Sequence, residues 1–379
     1  MKKIREVAEL SVAHLINDIY APVLMAIQPI LIATLGYSYF EAALLPAMHS
    51  IISSLLQPAF GYLADRRGLK ISVSISILLS GCGIAALGFL QDRFMLMILC
   101  VALSAAGHAS FHPGALCKVS AISSSGDRGR LTSLFVVGGN LGFALGPILA
   151  GIVLATGGFP SLSWLIIPAI AGALIIHIRK EPEECVTVHT PKISGDESWR
   201  PVILLFAGSS LRSWVTFGAM TFLPTFLVLE GYSLLTATTM VTIMLLSGVA
   251  GQISGGILSD RVGRKNVVVI TTFAAVPAFA AILVTTGAWL MISLMAFGFF
   301  LWSSFAVTIA MSHELMPSQI GLISGLFLGV AMGAGGIGVS ISGIIADHAG
   351  LPATLAIFPI ITLIAAGIFL LVKTPQRII

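Results

Sequence analysis

The chain has 379 residues, of which 57% are hydrophobic and only 9% are charged, and its mean hydropathy is +1.02. Such a composition excludes an ordinary soluble domain and is typical of a chain that crosses a lipid bilayer many times. The formal net charge is only +4. We expect the protein to lie in a lipid bilayer and to bind no nucleic acid.

Twelve runs of mostly apolar residues follow one another along the chain, each near the roughly 20 residues that a spanning helix needs. They predict an all-α membrane protein with twelve transmembrane helices. The first run is too long for a cleaved signal peptide and is expected to remain as an anchor. The runs cover residues 7–34, 40–64, 71–90, 94–122, 130–156, 160–178, 201–229, 234–259, 266–286, 288–312, 319–346 and 352–372.

The basic residues indicate the orientation of these helices. Apart from Arg93 and Arg212, the Lys and Arg residues lie at the termini, in the central polar stretch, or in and near the loops after even-numbered helices. Because Lys and Arg are enriched in cytoplasmic loops, both termini are expected in the cytoplasm. We expect a monomer in the cell (inner) membrane.

A repeated loop motif indicates that the chain arose by duplication. The sequence GYLADRRGLK at Gly61–Lys70 returns 195 residues later as GILSDRVGRK at Gly256–Lys265. A second match, offset by 192, relates predicted helices 5 and 11, and internal repeats of this kind define an architecture. The expected units are an N-terminal six-helix bundle (1–178), a cytoplasmic linker (179–200) and a pseudo-symmetric C-terminal bundle (201–379). The second match pairs Leu134, Phe135, Gly146 and Gly151 with Leu326, Phe327, Gly338 and Gly343.

Predicted helix 1 carries His14, Asn17 and Asp18 in an otherwise apolar run. At 1.5 Å per residue, Asp18 lies roughly 16 Å inside the membrane. Ionisable groups at that depth are costly and mark ion pathways or substrate sites. We expect Asp18 to carry a coupling proton with His14, one helical turn away, as its partner, and Asn17 to contact substrate. The alternative is a structural acid satisfied by a neighbouring helix.

Other polar residues in the first half extend this candidate site. His108 and His112 lie one turn apart in helix 4, and we expect them to assist proton coupling. Histidines at i and i+4 can also bind a metal ion together, but we predict no metal or other cofactor. His49 in helix 2 and Asn140 in helix 5 are candidate substrate contacts, with packing as the alternative for both.

Arg212 is the one basic residue deep within a predicted span. Subtracting the repeat offset of 195 places it beside the position of Asp18 in the first half. The first helices of the two halves are expected to face each other, so we predict an attraction between Asp18 and Arg212, either direct or through a bound substrate. The alternative is an Arg that snorkels to the membrane surface or caps a carbonyl.

The loop motifs place further charged residues at the cytoplasmic ends of the helices. We expect Asp65 and Arg66 in the first copy, and Asp260 and Arg261 in the second, to form a gate. Glu314, at the end of helix 10, is a candidate partner for Arg261.

With both copies of the motif in view, the chain resembles the major facilitator superfamily over its whole length. Within it, several stretches resemble the fosmidomycin resistance family. That resemblance implies a transporter that exports a small antibiotic against protons by alternating access. The stretches are HLINDIY at His14, SSLLQPAFGYLAD at Ser53, FHP at Phe111, VGGNLGFALGP at Val137 and ELMPSQIGLISGLFLG at Glu314.

Two other functions remain open at this stage. The same parts would serve a proton-coupled uptake symporter, or a uniporter, for an organic anion. A membrane-embedded metalloenzyme built on the histidines and Asp18 is the remote alternative, and we expect no enzymatic activity.

Overall fold

The computed structural model describes residues 2–67, 71–124, 127–178 and 198–373. These ranges are almost entirely helical and contain no β-strand. Eleven helices are long and apolar enough to cross a membrane, and a shorter apolar helix, Val73–Phe89, stands at the place of the predicted third span. The prediction of an all-α membrane protein with about twelve spans is confirmed.

We number the spans α1 to α12 in chain order. The first half consists of α1 in three segments (Lys2–Asp18, Tyr20–Ala26 and Gln28–Ala33), α2 (Tyr39–Arg67), α3 (Val73–Ala86, then a 3-10 turn Leu87–Phe89), α4 (Phe94–Ile122), α5 (Arg128–Gly157) and α6 (3-10 helix Phe159–Leu165, then Ile166–Ile178). The second half consists of α7 (Trp199–Leu229), α8 (Leu234–Val262), α9 (Arg264–Ile282), α10 (Gly287–Ser303 and Phe305–Leu315), α11 (Ile320–Ser324, the π-helical Gly325–Val330 and Ala331–Ala349) and α12 (Leu351–Leu371).

With the shorter helix Val73–Phe89 counted as a span the described chain has twelve, so its first and last described residues lie on one side of the molecule, which we call the terminal face. The opposite side is the distal face. Helix α1 was expected to be continuous, but it breaks after Asp18 and again after Ala26. Proline has no backbone N–H, so Pro22 and Pro29 leave the carbonyl groups four residues earlier without their helical donors.

Three pairs of helices join the two halves: α2 with α11, α5 with α8, and the distal segments of α1 with α7. Equivalent glycines allow equivalent contacts, because a side chain there would collide with the neighbouring helix. Gly151 of α5 packs on Thr238 of α8, and its repeat partner Gly343 of α11 packs on Phe40 of α2. Small residues therefore hold the two halves together in the same way on both sides of the pseudo-symmetry.

Each half also has a hydrophobic core of its own. One cluster is built from residues between Val7 and Ile176, and another from residues between Val202 and Val372. A third cluster belongs mostly to the second half but includes Met25, Ala43 and Ala144 of the first. Most of the expected linker, residues 179–197, lies outside the described residues, so the domain boundaries stay a prediction.

Candidate functional site

A cavity of about 320 Å³ lies between the two halves. Helices α1, α2, α4 and α5 form its wall on one side, and α7, α10 and α11 form the other. Thirteen polar or ionisable side chains and many apolar ones line it. Those named in the arguments below are His14, Asp18, His49, His108, His112, Asn140, Arg212 and Ser213.

On the side of the first half, four of these residues form what we call the acid–histidine cluster: His14, Asp18, His108 and His112. The Nε2 atom of His14 lies 3.1 Å from Oδ2 of Asp18. The Oδ1 atom of Asp18 lies 3.7 Å from Nδ1 of His108 and 3.9 Å from Nε2 of His112. The structure thus brings together the acid and the three histidines that the sequence suggested for proton coupling. The first break in α1 directly follows Asp18.

Two neighbours of the cluster differ in their relation to the cavity. Asn17 is fully buried behind the wall, and its amide bonds to Asp18, His108 and Ser80. The substrate contact predicted for Asn17 therefore falls on a side chain that is already occupied by protein groups. His49 lines the cavity, its ring lies 5.4 Å from that of His108, and its buried Nε2 atom has no hydrogen-bond partner among the described residues.

Three atoms of the acid–histidine cluster, one each from His14, Asp18 and His112, lie within 4.8 Å of one another, a spacing that could hold a metal ion. Hydrogen-bonding distances already account for each of them. His14 lies against Asp18, and His112 Nε2 lies 3.2 Å from His108 Nε2. The geometry is thus that of a hydrogen-bonded network.

The second half contributes Arg212 to the opposite wall. This side chain is 4% exposed. Its Nη1 atom donates to Ser304 Oγ at 2.8 Å, its Nη2 atom donates to Thr308 Oγ1 at 3.2 Å, and the guanidinium carbon lies 5.4 Å from the ring centre of Phe305. Within the described part of the chain no carboxylate forms a salt bridge with it, so neutral hydroxyls hold a buried cation at the cavity.

Helix α10 is interrupted at Ser304, where the sequence predicted one continuous span. The Ser304 hydroxyl donates to the carbonyl of Leu301 and accepts from Arg212. No proline occurs at this break, so the sequence offered no strong signal for it.

Asn140 is the polar residue of α5 in the cavity wall. Its Nδ2 atom donates to Gln252 Oε1 on α8 at 3.2 Å, which makes a polar contact between the two halves. Sequence reasoning did not single out Gln252.

The candidate gate residues of the second half lie at the terminal face. Asp260 and Glu314 both contact Arg264, at 2.9 and 3.0 Å, whereas the predicted partner Arg261 is exposed. These contacts connect helices of one half only. The side chains of Asp65 and Arg66 lie outside the described residues.

A contact at the distal face was missed by sequence reasoning. The carboxylate of Asp347, near the end of α11, accepts hydrogen bonds from the backbone N–H groups of Tyr39 (2.7 Å) and Phe40 (3.0 Å) at the start of α2. An acid near the C-terminus of a helix is disfavoured by the helix dipole, and this was a signal that it serves another element. Asp347 thus joins the two halves at the distal face.

Comparisons with known proteins agree with this architecture. The family model of the Major Facilitator Superfamily matches residues 10–336 and 233–378. The fosmidomycin resistance protein of Escherichia coli (strain K12) is 29% identical over 356 residues, covering 89% of this chain and 86% of the relative. The uncharacterized MFS-type transporter YfnC of Bacillus subtilis (strain 168) is 28% identical over 375 residues, covering 94% of this chain and 90% of the relative.

Solved structures show the same fold. A bacterial homologue of the human lysosomal transporter Spinster, in an inward-facing and occupied conformation, superposes with a TM-score of 0.83 at 16% identity, covering 97% of this chain and 96% of that one. These relatives are membrane transporters and not enzymes. Twelve spans, two repeated halves, a central cavity and a family match over nearly the whole length lead to one conclusion: the chain belongs to the Major Facilitator Superfamily.

Proposed function

We propose that this protein is a secondary active transporter that exports a small, anionic, drug-like molecule in exchange for protons. The observation that carries the proposal is that a buried acid and a buried base from opposite halves, Asp18 and Arg212, line the same cavity. A site at the interface between two repeated halves, near the middle of the membrane, is suited to alternating access.

Arg212 is the proposed anchor for the anion. Ser304 and Thr308 occupy one N–H of each terminal nitrogen, and a guanidinium has five N–H groups in all. The remaining groups can bind a carboxylate or a similar oxyanion with two parallel hydrogen bonds. His49, whose Nε2 atom has no hydrogen-bond partner in the described part of the chain, and Asn140 are proposed as further substrate contacts.

Asp18 is the proposed proton carrier, with His14, His108 and His112 as its partners. His14 is close enough to exchange a proton with Asp18 directly, at 3.1 Å, and His108 and His112 lie 3.7 and 3.9 Å from it. All three histidines line the cavity, where a proton can enter from water. We further propose that the terminal face is cytoplasmic, since the sequence assigns nearly all Lys and Arg residues to the termini and to the segments that connect the helices on that side, and that the protein acts as a monomer in the inner membrane.

The proposed gate at the terminal face consists of Asp65 and Arg66 in the first half and Asp260, Arg261 and Glu314 in the second. Alternating access requires contacts at this face to form when the distal contact at Asp347 opens. Arg264 already holds Asp260 and Glu314 together, which gives the second half a preformed charged edge.

An uptake symporter for an organic anion is the second candidate. It is favoured by the placement of Asp18 and Arg212 on opposite walls without a described salt bridge, since one proton and one anion could then bind together. Uniport of the anion is the further alternative.

Transport by proteoliposomes separates these functions. The first compound to test is fosmidomycin, because the E. coli relative is named for resistance to it, followed by a panel of small organic anions. Proton antiport predicts that an outwardly directed substrate gradient drives protons inward. It also predicts that an inwardly directed proton gradient accelerates export of the substrate. Co-movement of anion and proton would establish symport, and exchange unaffected by any proton gradient would establish uniport.

A further inference from the structure

We infer that the His14–Asp18 pair holds one shared proton in this conformation. Asn17 is the positioning residue: its amide donates hydrogen bonds to Asp18 and to His108, and it thereby fixes which atoms of the cluster donate and which accept. The inference deepens the proposed coupling site and so rests on the proposed function. It follows from which atoms in the network can donate and which can only accept.

The first step concerns the ring of His14. Its Nδ1 atom lies 2.9 Å from the backbone carbonyl oxygen of Phe135, and a carbonyl can only accept, so Nδ1 must carry a hydrogen. In a neutral ring the other nitrogen, Nε2, would then be a bare acceptor facing Oδ2 of Asp18 at 3.1 Å. Two acceptors at that distance repel each other. A proton must therefore lie between them, either on His14 or on Asp18.

The second step concerns the other carboxylate oxygen. Asp18 Oδ1 accepts from Nδ2 of Asn17 at 2.9 Å. The amide cannot be turned round, because its oxygen would then oppose this carboxylate oxygen. Ser80 on α3 supports this orientation, since its hydroxyl can donate to Oδ1 of Asn17, also at 2.9 Å. Asn17 therefore presents its NH₂ group to the cluster.

The third step assigns the two histidines of α4. The second hydrogen of Asn17 Nδ2 points to Nδ1 of His108, 3.2 Å away, so that nitrogen is an acceptor. A neutral His108 then carries its hydrogen on Nε2 and donates it to Nε2 of His112, 3.2 Å away. A hydrogen on His112 Nε2 would point at the hydrogen of His108 Nε2, so His112 Nε2 must be the acceptor. Asn17 thus sets one direction for the chain of hydrogen bonds and keeps both rings neutral.

The surroundings of the pair are consistent with a single proton. Helix α4 faces it with the two neutral histidines, and α2 contributes His49, which packs on His108. Helices α3 and α5 face it with the neutral Ser80 hydroxyl and the Phe135 carbonyl, while Arg212 lies across the cavity. With one proton the pair has no net charge, which is the least costly state at this depth in the membrane.

The proton can be located spectroscopically without any transport measurement. The full-length protein in lipid nanodiscs at neutral pH is studied by infrared spectroscopy with labelled aspartate and by NMR of labelled histidine, with Asp18→Asn and His14→Gln to assign the signals. The expected result is either an imidazolium beside a carboxylate or a neutral imidazole beside a carboxyl. An uncharged His14 beside an ionised Asp18 would overturn the inference.

Two variants test the positioning role of Asn17, and the second covers the case in which the first does not fold. Asn17→Ala removes the donor from Asp18, and Ser80→Ala removes the group that orients the amide. Without the donor the fully deprotonated pair loses a hydrogen bond to a charge, so the pH midpoint for loss of the shared proton should rise by about one unit in Asn17→Ala and by less in Ser80→Ala.

Ser76→Ala is the matched control. Ser76 is a fully buried serine one turn away on the same helix, and its hydroxyl bonds to Ser110 and not to the cluster. Its midpoint should stay at the wild-type value. Unchanged midpoints in Asn17→Ala or in Ser80→Ala would remove Asn17 from this role. Gradient-driven transport is scored separately: a shared proton without proton-coupled transport would contradict the proposed function and leave this inference standing.

Discussion

Replacing Arg212 by lysine tests the anion site most directly, because it keeps the positive charge and removes the planar fork. In the wild type, two N–H groups are used by Ser304 and Thr308, at 2.8 and 3.2 Å. Three of the five N–H groups of the guanidinium remain, enough for a two-pronged contact with an oxyanion. A lysine ammonium has three N–H groups on one nitrogen, and the same two hydroxyls compete for them.

The expected loss is therefore about one charge-assisted hydrogen bond to the ligand. Such a bond contributes about 1.5–3 kcal/mol, which corresponds to a Kd that is about 10- to 150-fold weaker. Folding should be retained, because Ser304 and Thr308 can still bind the ammonium group.

Calorimetric titration of the purified protein measures this change, with fosmidomycin or with the organic anion that the transport assays identify. Ser213→Ala is the matched control, since Ser213 also belongs to α7 and lines the cavity, and its hydroxyl contacts only a methionine sulfur in the described structure, at 3.9 Å. It should leave the Kd within about twofold, which corresponds to a change in binding free energy of ~0.5 kcal/mol or less. Equal affinities of wild type and Arg212→Lys would exclude Arg212 from the anion site.

Three further outcomes are expected. Asp18→Asn should bind substrate but lose all response of transport to a proton gradient; a remaining response would move the proton pathway to another residue. Asp347→Asn should weaken the distal contact by about 1–2 kcal/mol. A cysteine introduced at Ala43, which packs against α11, should then react faster with an impermeant maleimide. Unchanged labelling would contradict a locking role of Asp347. Chelators should leave binding and transport unaffected, whereas loss of activity restored by a divalent metal would show that the acid–histidine cluster holds an ion.

Much of the architecture was predictable because the bilayer permits few solutions. A spanning segment must satisfy its own backbone hydrogen bonds, so long apolar runs become helices. The repeat offset then relates helices of the two halves from the sequence alone. The matched glycines Gly151 and Gly343 illustrate how far this holds: the first packs on Thr238 of α8 and the second on Phe40 of α2.

Side-chain direction and helix breaks were less accessible. Asn17 and Asp18 are adjacent in sequence, and adjacent residues of a helix point to different sides. The sequence alone did not show which of them lines the cavity and which, like Asn17, is buried between the helices of the first half. At the break in α10, the hydroxyl of Ser304 accepts a hydrogen bond from Arg212, 92 residues away in the chain. Partners of this kind are set by packing between helices and leave no local pattern.

One relation between the halves was present in the sequence and became meaningful only with the structure. His108 and His112 on α4 support Asp18 of α1, whereas Ser304 and Thr308 on α10 support Arg212 of α7. The two supporting pairs are offset by 196 residues and the two charges by 194. Equivalent positions of one duplicated module therefore form both sites, with an acid and histidines in one half and a base and hydroxyls in the other.

This opposition of charges has a consequence for coupling. Two unit charges about 10 Å apart interact by about 1.7 kcal/mol at an effective dielectric constant of about 20, so an anion bound at Arg212 would cancel an attraction that favours ionised Asp18. Charge alone thus favours binding of proton and anion together. Antiport requires a stronger opposing effect, and size can supply it: the cavity of about 320 Å³ is at the small end for ligand sites. A drug-sized anion anchored at Arg212 would fill it up to the acid–histidine cluster and exclude water and protons from that wall, which is the opposing effect that the proposed antiport needs.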